Sequence, residues 1–382
     1  MLTNRDIAEL ISFRRDLHRA PELSGAEVAT AAAVQRFLAG GPDHVIAGLG
    51  GTGLAAVYDG AAPGPTVLLR AELDALPITE QSTAAHRSAV PGTAHLCGHD
   101  GHMAILCGMG RLLQRARPPR GRVVLLFQPA EETGAGAAAV LDDPRFADLA
   151  PDAALALHNL PGLPLGHAAL ISGPACCASR GLRLALEGRT AHASMPETGR
   201  SPMRAVAELM PALTALGPGG ALEPGFRLVT VTHAHMGEPT YGVAPGSAVV
   251  QATLRCLEDG AMAALCDDAL QVAGRLAARD GLVLSHSWHD VFHACTNDAA
   301  LTAMLDEVCA DAGIARVPPP GPMRFSEDFG RFGAVAPCTL ALLGSGEDHP
   351  QLHNPDYDFP DDLIAIGVRL FDGAVQRLLA PA

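Results

Sequence analysis

Several stretches of this chain are apolar at almost every position, at residues 54–58, 66–70, 122–127, 153–157 and 337–343. A strand with one solvated face alternates polar and apolar residues, whereas a strand covered on both faces does not. Patterns typical of helices separate these runs, at residues 5–39 with a break at Pro21, at about 101–116, and again after Asn297. This order predicts an α/β fold in which a buried sheet carries helices on both faces.

The middle of the chain has a different pattern. Residues 181–187 alternate polar and apolar side chains, which is typical of a half-exposed strand. The next segments indicate helix, strand, strand, helix and short strand, at about 201–216, 226–234, 247–255, 259–279 and 282–288. That order predicts a small α+β, ferredoxin-like domain. We therefore expect residues 1–178 and 290–382 to form one large domain, and residues 179–289 to form an insert.

Charge and composition narrow the classes of partner. The 382 residues carry a formal net charge of −14 at pH 7, and an acidic surface repels phosphate backbones, so we expect no nucleic-acid partner. The sequence lacks an uncharged apolar run of about 18 residues, so we expect no membrane contact. Residues 1–6 lack the layout of a signal peptide, which makes the cytoplasm the expected location. The nine cysteines are dispersed, and we expect most of them to be reduced and buried.

The strongest chemical signal is the segment TAHLCGHDGH at residues 93–102. Thiolate and imidazole are good ligands for zinc and similar ions, and a single glycine between Cys97 and His99 permits a sharp bend. Asp100 is placed to accept the second N–H of a ligand histidine, as carboxylates commonly do behind metal sites. Taken alone, the segment fits a core cysteine beside surface histidines as well.

Further polar residues follow three of the buried strands. Glu131 and Glu132 follow the run at 122–127, His158 follows the next run, and His353 lies beyond the last. Active sites of α/β sheets lie at the carboxyl ends of strands, so we expect these residues to meet Cys97 and His99 at one sheet edge. Of two adjacent glutamates, one can bind metal while the other accepts a proton from water.

A glycine-rich segment has the spacing, but not the context, of a dinucleotide-binding site. GLGGTG at residues 48–53, with Glu72 further along, has the spacing of a dinucleotide-binding fingerprint. A helix has to follow such glycines, whereas residues 54–58 have the pattern of a strand. We therefore expect no nucleotide cofactor there. The sequence also has no Gly-x-Ser-x-Gly nucleophile elbow.

Several motifs in a fixed order resemble the aminoacylase-like metallopeptidase family. They are DLHRAPELS at 16–24, RAELDALP at 70–77, CGHD at 97–100, QPAEE at 128–132, SEDF at 326–329 and LHNP at 352–355. The resemblance covers nearly the whole chain and is to the branch of hippurate hydrolase, indoleacetyl-amino-acid hydrolases and N-acetyldiaminopimelate deacetylase. It implies a zinc-peptidase-like catalytic domain with a large mixed sheet, and it makes the insert a lid and dimerisation domain.

The resemblance also implies roles for individual residues. It implies a two-metal centre with five ligands: Cys97, His99, Glu132, His158 and His353. Glu131 would be the general base toward metal-activated water, and Asp74 and Asp100 would support the site from behind. His192 would polarise the scissile carbonyl, and Arg255 would anchor the substrate carboxylate.

Two positions depart from the family pattern. The family usually has NVIP in the insert, where the asparagine helps to hold the substrate carboxylate. Residues 242–245 are GVAP, so that Gly242 replaces the asparagine. Glu72 stands in place of an aspartate, which is the milder change. The first departure leaves the identity of the substrate open.

Together these inferences predict a metal-dependent amidohydrolase that cleaves the amide bond of an N-acyl amino acid or similar small molecule. The resemblance implies a homodimer or dimer-based oligomer, and the mixed ligand set admits zinc, manganese, cobalt or nickel. A carboxypeptidase or dipeptidase of the same fold stays open, because the sequence does not give the size of the substrate pocket. A non-catalytic binding protein would have lost a ligand or the base. A redox protein would need an exposed Cys97 or a Cys176–Cys177 bridge.

Overall fold

The structure is a computed structural model, and it describes residues 1–381. The helices in that range are α1 (Asn4–Arg19), α2 (Val28–Phe37), α3 (His99–Arg115), α4 (Gly136–Asp142), α5 (Met203–Leu216), α6 (Asp259–Arg279), α7 (Ala299–Asp311) and α8 (Leu363–Leu378). The strands are β1 (His44–Leu49), β2 (Gly53–Asp59), β3 (Thr66–Glu72), β4 (Arg122–Gln128), β5 (Ala153–Pro161), β6 (Ala168–Ala169), β7 (Gly173–Cys176), β8 (Ala178–Glu187), β9 (Ala191–His192), β10 (Arg227–Met236), β11 (Val243–Ala244), β12 (Ser247–Cys256), β13 (Val283–Phe292), β14 (Cys295–Asn297) and β15 (Cys338–Gly346).

The chain divides into two compact units. Unit 1 comprises residues 1–175, 295–321 and 328–382, and unit 2 comprises residues 176–294 and 322–327. These bounds differ from the predicted ones mainly because the short segment 322–327 also belongs to unit 2. The backbone N–H of Cys177 lies 3.1 Å from the carbonyl oxygens of both Met323 and Phe325, which ties this segment to unit 2.

Unit 1 is built on a seven-stranded mixed sheet in the order β1-β2-β4-β3-β5-β15-β6. The four central strands, β4, β3, β5 and β15, run parallel, while β1, β2 and β6 pair antiparallel at the sides. The strands β3 and β5 are buried at every position, as their continuous apolar runs predict. The expectation of a large mixed sheet is therefore confirmed.

Helix α3 is buried along most of its length, including the polar residues of its first turn, and packs against α1 and α8. Helix α1 begins with a capping box, in which Thr3 Oγ1 accepts from Asp6 N and Asp6 Oδ2 accepts from Thr3 N. The buried stripe of α1 contains the polar residues Arg14 and His18 among leucines. Buried charged groups need partners, so Arg14 and His18 indicate a polar site beneath the helix.

Unit 2 carries a four-stranded antiparallel sheet in the order β10-β12-β8-β13. Numbered along the chain, these strands lie in the order 2-3-1-4, which is the order of a ferredoxin-like βαββαβ unit. The strand β12 alternates between half-buried and buried side chains over its whole length. Its buried face packs against α5 and α6. Helices thus cover one face of this sheet.

The glycines of GLGGTG form the turn between β1 and β2, where Leu49 pairs with Gly53. A strand follows them, not the helix that a dinucleotide site requires. The nine cysteines are free and buried, so Cys176 and Cys177 do not form the bridge that the redox alternative needs. No helix within residues 1–381 is both long enough and apolar enough to span a membrane.

Candidate functional site

The carboxyl ends of three parallel strands in unit 1 lie level with one another. Glu72 at the end of β3 pairs with Gln128 at the end of β4, and Arg70 pairs with Ala156 of β5. Asp74 follows β3, and Glu131 and Glu132 follow β4. The strand β5 runs on to Pro161, so His158 lies within it, not beyond its end as the sequence predicted. This edge therefore collects acidic and imidazole side chains.

The turn before α3 adds Cys97 and His99 to the same edge. Gly98 between them has a φ of 94°, a conformation that side-chain-bearing residues rarely adopt. A Cβ atom on Gly98 would also overlap the side chain of Asn159, with its Cγ only 2.7 Å away. Glycine is thus required here for backbone conformation and for space, and it lets two consecutive donor groups converge.

The five predicted metal ligands come together in unit 1. Cys97, His99 and His158 form one group whose donor atoms all lie within 4.8 Å of one another. Cys97, Glu132 and His353 form a second such group, and His99, Glu131 and Glu132 form a third. Because the first two groups share Cys97, the arrangement provides two adjacent sets of donors.

Hydrogen bonds to the backbone fix which nitrogen of two histidines faces the cluster. His99 Nδ1 lies 2.8 Å from the carbonyl oxygen of Asp74, and His158 Nδ1 lies 2.8 Å from that of Asn159. A carbonyl oxygen only accepts, so each Nδ1 carries the proton and each neutral ring has its lone pair on Nε2. Those lone pairs face the cluster, since His158 Nε2 lies 3.5 Å from Cys97 Sγ and His99 Nε2 lies 3.9 Å from carboxylates of Glu131 and Glu132.

His353 reaches the cluster from a loop after β15. Its Nε2 lies 3.6 Å from Glu132 Oε1, and its backbone N–H donates to the carbonyl of Leu96 at 2.8 Å. His353 has a φ of 67°, and Ala130, which precedes the two glutamates, has a φ of 50°. Left-handed conformations at non-glycine residues cost energy and concentrate at functional sites. Here one such residue, His353, is itself a candidate ligand, and the other, Ala130, directly precedes Glu131.

Several buried atoms of the cluster have no hydrogen-bond partner within residues 1–381. They are His99 Nε2, Glu132 Oε1 and Asp74 Oδ1. Leaving a buried polar atom unsatisfied costs about 1–3 kcal/mol, so such atoms need a ligand or an ion. Sulfur, nitrogen and oxygen donors in this combination suit a divalent transition metal. The residues present therefore fit a metal centre.

The electrostatics of the cluster lead to the same conclusion. Burial opposes a charge on His99, but Glu72, Asp74 and Glu132 outweigh it and raise the pKa of His99 to about 10. Burial, together with the negative charges of Glu132 and Glu131, raises the pKa of the Cys97 thiol well above its usual range. A site with this much negative charge attracts a cation, and a divalent ion can replace these protons.

Asp74 supports the cluster through three contacts. Its carbonyl accepts from His99, its Oδ2 accepts from the backbone N–H of Glu132 at 2.9 Å, and the hydroxyl of Ser24 donates to the same oxygen at 2.7 Å. Burial opposes a charge on the Asp74 carboxyl, but the nearby His99 ring and the bonds from Ser24 and the Glu132 N–H prevail and hold the pKa of Asp74 below its usual value. Asp74 thus orients one ligand candidate and anchors the segment carrying another.

Asp100 has different partners from those the sequence predicted. The second N–H of His99 goes to the Asp74 carbonyl, while Asp100 Oδ2 lies 2.9 Å from His18 Nδ1 and 3.0 Å from Arg14 Nε. Asp100 is the second residue of α3, and its partners belong to α1. Its contribution is therefore to join these two helices behind the cluster, not to orient a ligand candidate directly.

A buried network at the base of the cluster was missed from the sequence. His102 Nδ1 lies 2.6 Å from Glu72 Oε2, and His102 Nε2 lies 2.6 Å from Asn159 Oδ1. Arg70 pairs with Glu72, and the Asn159 amide lies 2.5 Å from the hydroxyl of Tyr357. Glu72 and His102 could form a donor group with His99, but both ring nitrogens of His102 already have partners. The one signal in the sequence was His102 itself, the last residue of the segment TAHLCGHDGH, and its partners were not apparent from any pattern.

His192 lies in unit 2 on a two-stranded ribbon, where it pairs with Val243. The side chain is exposed. The backbone N–H of Ser194 donates to His192 Nδ1 at 3.1 Å. An N–H group only donates, so the neutral ring carries its proton on Nε2. His192 thus presents an N–H donor to its surroundings.

Arg255 also lies in unit 2, on β12. Its Nη1 donates to the carbonyl of Arg324 and to the hydroxyl of Ser326, each at 3.0 Å. Burial lowers the pKa of Arg255, and no carboxylate within residues 1–381 forms an ion pair with it. A partly buried guanidinium without a counter-ion favours binding of an anion. Gly242, next to the ribbon strand β11, has open space around it, since a Cβ atom there would meet no heavy atom within 4 Å.

Comparison with known proteins identifies the family. The model of peptidase family M20/M25/M40 matches residues 68–377, a range that includes all the candidate metal ligands and Glu131. The chain belongs to this family. The match extends through both units.

Similar M20 proteins include two curated enzymes and a solved structure. The chain is 31% identical over 372 residues to an N-acetyl-L-cysteine deacetylase of Bacillus subtilis, covering 97% of this chain and 88% of the relative. It is 30% identical over 354 residues to an N-acetyldiaminopimelate deacetylase of the same species, covering 92% and 94%. It superposes with a TM-score of 0.82, at 27% identity and 99% coverage of both chains, on a Bacillus subtilis dinuclear metal binding peptidase from the M20 family.

Family membership establishes the class of this protein. It is an M20 metal-dependent hydrolase that acts on amide bonds, and it uses a dinuclear metal centre. The expected enzyme class and the expected pair of divalent ions are confirmed. The two curated relatives are, by name, deacetylases of N-acetylated amino acids. The alternative of a non-catalytic protein would need a lost ligand or base, whereas all six residues are present and gathered in unit 1.

Proposed function

We propose that this M20 enzyme hydrolyses the amide bond of an N-acyl amino acid, with both metal ions held in unit 1. Cys97, His99, Glu132, His158 and His353 would be the ligands, and Cys97 is the residue shared by the two donor groups. The names of the two curated relatives support the substrate class, because both are deacetylases of N-acetylated amino acids.

One observation carries the ligand assignment. His99 and His158 both give their Nδ1 protons to backbone carbonyls, so their Nε2 lone pairs face Cys97 and the two glutamates. Such a backbone bond behind a ligand histidine fixes the ring and raises its basicity. A core histidine without a metal would instead use both nitrogens in hydrogen bonds, whereas His99 Nε2 has no such partner within residues 1–381.

Glu131 would move the proton in this reaction. When bound, the metal ions lower the pKa of water and polarise the scissile carbonyl. Glu131 is buried, adjacent in sequence to the ligand candidate Glu132 and 3.9 Å from His99 Nε2, which supports a role as a carboxylate beside the reacting water. It would accept a proton from the attacking water and return it to the nitrogen of the leaving amine, which departs with its carbon–nitrogen bond broken.

His192 and Arg255 would recognise the substrate. The Nε2–H of His192 is a donor suited to a carbonyl oxygen that gains negative charge, as in other oxyanion sites. Arg255 lacks a carboxylate partner within residues 1–381 and would bind the carboxylate of the amino-acid portion. With Gly242 in place of asparagine, Arg255 would do so without a neighbouring amide from that position. Unit 2 would then be the lid.

We further propose a homodimer that acts in the cytoplasm. The strand β10 is an edge strand of the unit 2 sheet, and residues 232–236 are exposed, so its free edge can pair with a second copy. Nine free, buried cysteines suit a reducing compartment. Light scattering at several protein concentrations checks the dimer, since a mass of one chain at every concentration would contradict it.

Substrate hydrolysis after metal replacement tests the proposed function. Chelator-stripped protein receives one divalent metal at a time and is assayed for amine release from N-acyl amino acids, dipeptides and C-terminally free peptides. We expect activity only after metal addition and highest kcat/KM on N-acyl amino acids. Preference for the dipeptides or longer peptides would instead establish the carboxypeptidase or dipeptidase alternative. A Glu131→Gln variant that remained fully active would remove Glu131 from its role.

A further inference from the structure

Asn159 is connected to three of the four segments that supply the candidate metal ligands. Its side chain lies against Gly98, between Cys97 and His99, so closely that no Cβ fits at that position. The backbone carbonyl oxygen of Asn159 accepts the Nδ1 proton of His158, with the two heavy atoms 2.8 Å apart. Asn159 therefore touches the turn of one ligand pair and orients the ring of a third candidate.

The same residue is connected to the segment that carries His353. The Asn159 amide lies 2.5 Å from the hydroxyl of Tyr357. The backbone N–H of Tyr357 donates to the carbonyl of Asn354 at 3.1 Å, which closes a turn directly after His353. Tyr357 and Asn159 are both fully buried. A shift of Asn159 would thus be transmitted to the third ligand segment.

Asn159 is itself held by a buried chain of polar groups. His102 Nε2 lies 2.6 Å from Asn159 Oδ1, and His102 Nδ1 lies 2.6 Å from Glu72 Oε2. Glu72 pairs in turn with Arg70, whose Nη2 donates to Asp328 at 2.7 Å. Every residue of this hydrogen-bonded network is buried, so solvent does not compete for its bonds. The amide orientation is therefore fixed from the sheet side.

We propose that Asn159 is a positioning residue that holds three of the segments carrying candidate metal ligands in place, acting through Gly98, His158 and Tyr357. It does not contact substrate in this account. Its role rests on the proposed ligand set, since it acts through those ligands. Partners behind metal ligands affect metal affinity by about 10–100-fold when they are removed. An asparagine at this point supplies both an acceptor for His102 and a donor for Tyr357, which no apolar residue of similar size does.

Asn297 provides a matched control within unit 1. It is also a buried asparagine, and it makes three hydrogen bonds, to the Ile171 carbonyl and to the carbonyl and N–H of Leu340. It contacts none of the candidate ligand segments in those bonds. Replacing either asparagine by alanine removes a buried amide of the same size, so the two variants share the general cost of that loss.

The test compares Asn159→Ala and Asn297→Ala by calorimetric titration of the metal-free protein with cobalt, and by the absorption spectrum of the cobalt-loaded protein. We expect Asn159→Ala to bind the second ion about 10–100-fold more weakly and to change the thiolate-to-cobalt absorption of Cys97. Asn297→Ala should match wild type in both readouts. Circular dichroism confirms that each variant is folded, and Tyr357→Phe, which removes only one link, supplies a milder variant should Asn159→Ala fail to fold.

Three outcomes are distinguishable. Wild-type affinity and spectrum in both Asn159→Ala and Tyr357→Phe would overturn the positioning role while leaving the metal centre intact. Equal losses in Asn159→Ala and Asn297→Ala would show a general stability effect and would overturn it as well. A wild-type spectrum without any thiolate-to-cobalt band would contradict the proposed ligand set itself, because Cys97 is its shared member.

Discussion

The cluster in unit 1 and the ribbon in unit 2 are two kinds of functional region in one chain. In unit 1, His99 and His158 are buried and held by backbone carbonyls, and Asp74 anchors the neighbouring glutamates. In unit 2, His192 is exposed on a ribbon of two residue pairs, and its partner is the adjacent Ser194. The side chains of the cluster in unit 1 are therefore held in place before a metal ion or a substrate binds.

This difference indicates a division of labour. Metal ligands have to hold their geometry against the attraction of an ion, so a buried shell of second partners is an advantage. A residue that meets variable substrates gains from exposure and from a small, adaptable support. The comparison predicts that changes to the ligand candidates of unit 1 or to their buried support alter metal binding and activity together. Changes in unit 2, and changes to Glu131, which is the base and not a ligand, should alter activity and leave metal binding unchanged.

The largest expected effect comes from Glu131→Gln. The amide keeps the shape of the side chain but cannot accept the proton, so we expect kcat to fall by about 10²–10⁴-fold. The two ions should remain bound, because Glu131 is the base and not a ligand in this account. Plasma emission spectroscopy of the purified variant counts the metal. Loss of one ion together with activity would make Glu131 a ligand instead.

Substitution of His192 tests the expectation for unit 2. His192→Ala removes the exposed Nε2–H donor, and loss of one donor of this kind typically lowers kcat by about 10²–10³-fold. Metal content and thermal stability should equal those of wild type, since the ring is exposed and its hydrogen bonds are to the nearby Ser194. Near-wild-type kcat with a raised KM would give His192 a binding role alone.

The pH dependence of stability tests the support of the cluster. Burial opposes a charge on His18, but Asp100 and Glu80 outweigh it and raise the pKa of His18 to about 9 from 6.5. A raised folded-state pKa stabilises the fold fully below pH 6.5, and this contribution is lost as the pH rises through 9. Urea unfolding of metal-loaded wild type and His18→Gln should therefore show a difference in unfolding free energy that narrows over this interval, by on the order of 3 kcal/mol. A constant gap would mean that His18 is neutral.

The smallest expected effect is at Gly242. A Cβ at this position meets no heavy atom within 4 Å, and φ is not in the left-handed region, so Gly242→Asn should fold normally. An added amide near the substrate carboxylate would lower KM a few-fold for N-acyl amino acids and leave KM unchanged for the corresponding N-acyl amino acid amides. A KM that falls equally for both would assign the effect to the ribbon and not to the carboxylate.

The sequence predicted the buried strands well because their signal is local. Continuous apolar runs identified β3, β4, β5 and β15 within a few residues. The edge strand β1 was missed because its apolar run, Val45–Ala47, is short and leads directly into the glycine-rich segment at 48–53. The strands β9 and β11 are only two residues long, which is too short for any period to appear.

The site was predictable to the extent that its residues follow strands or form recognisable motifs. Positions after the buried strands already grouped Glu131 and His353 with Cys97 at one sheet edge, and the resemblance to a known family supplied their individual roles. The partners of Asp100 were not predictable, because they depend on how α1 packs on α3. The contacts of Asn159 with His102 and Tyr357 join residues 57 and 198 positions apart, and no sequence period reports such contacts.

The most direct test of the central claim is anomalous diffraction from crystals of the manganese- or cobalt-loaded protein, measured at the absorption edge of the metal. This account predicts two peaks in unit 1, both within bonding distance of atoms from Cys97, His99, Glu132, His158 and His353. Peaks bound to other residues, or a single peak in crystals of protein that is fully active with that metal, would contradict it.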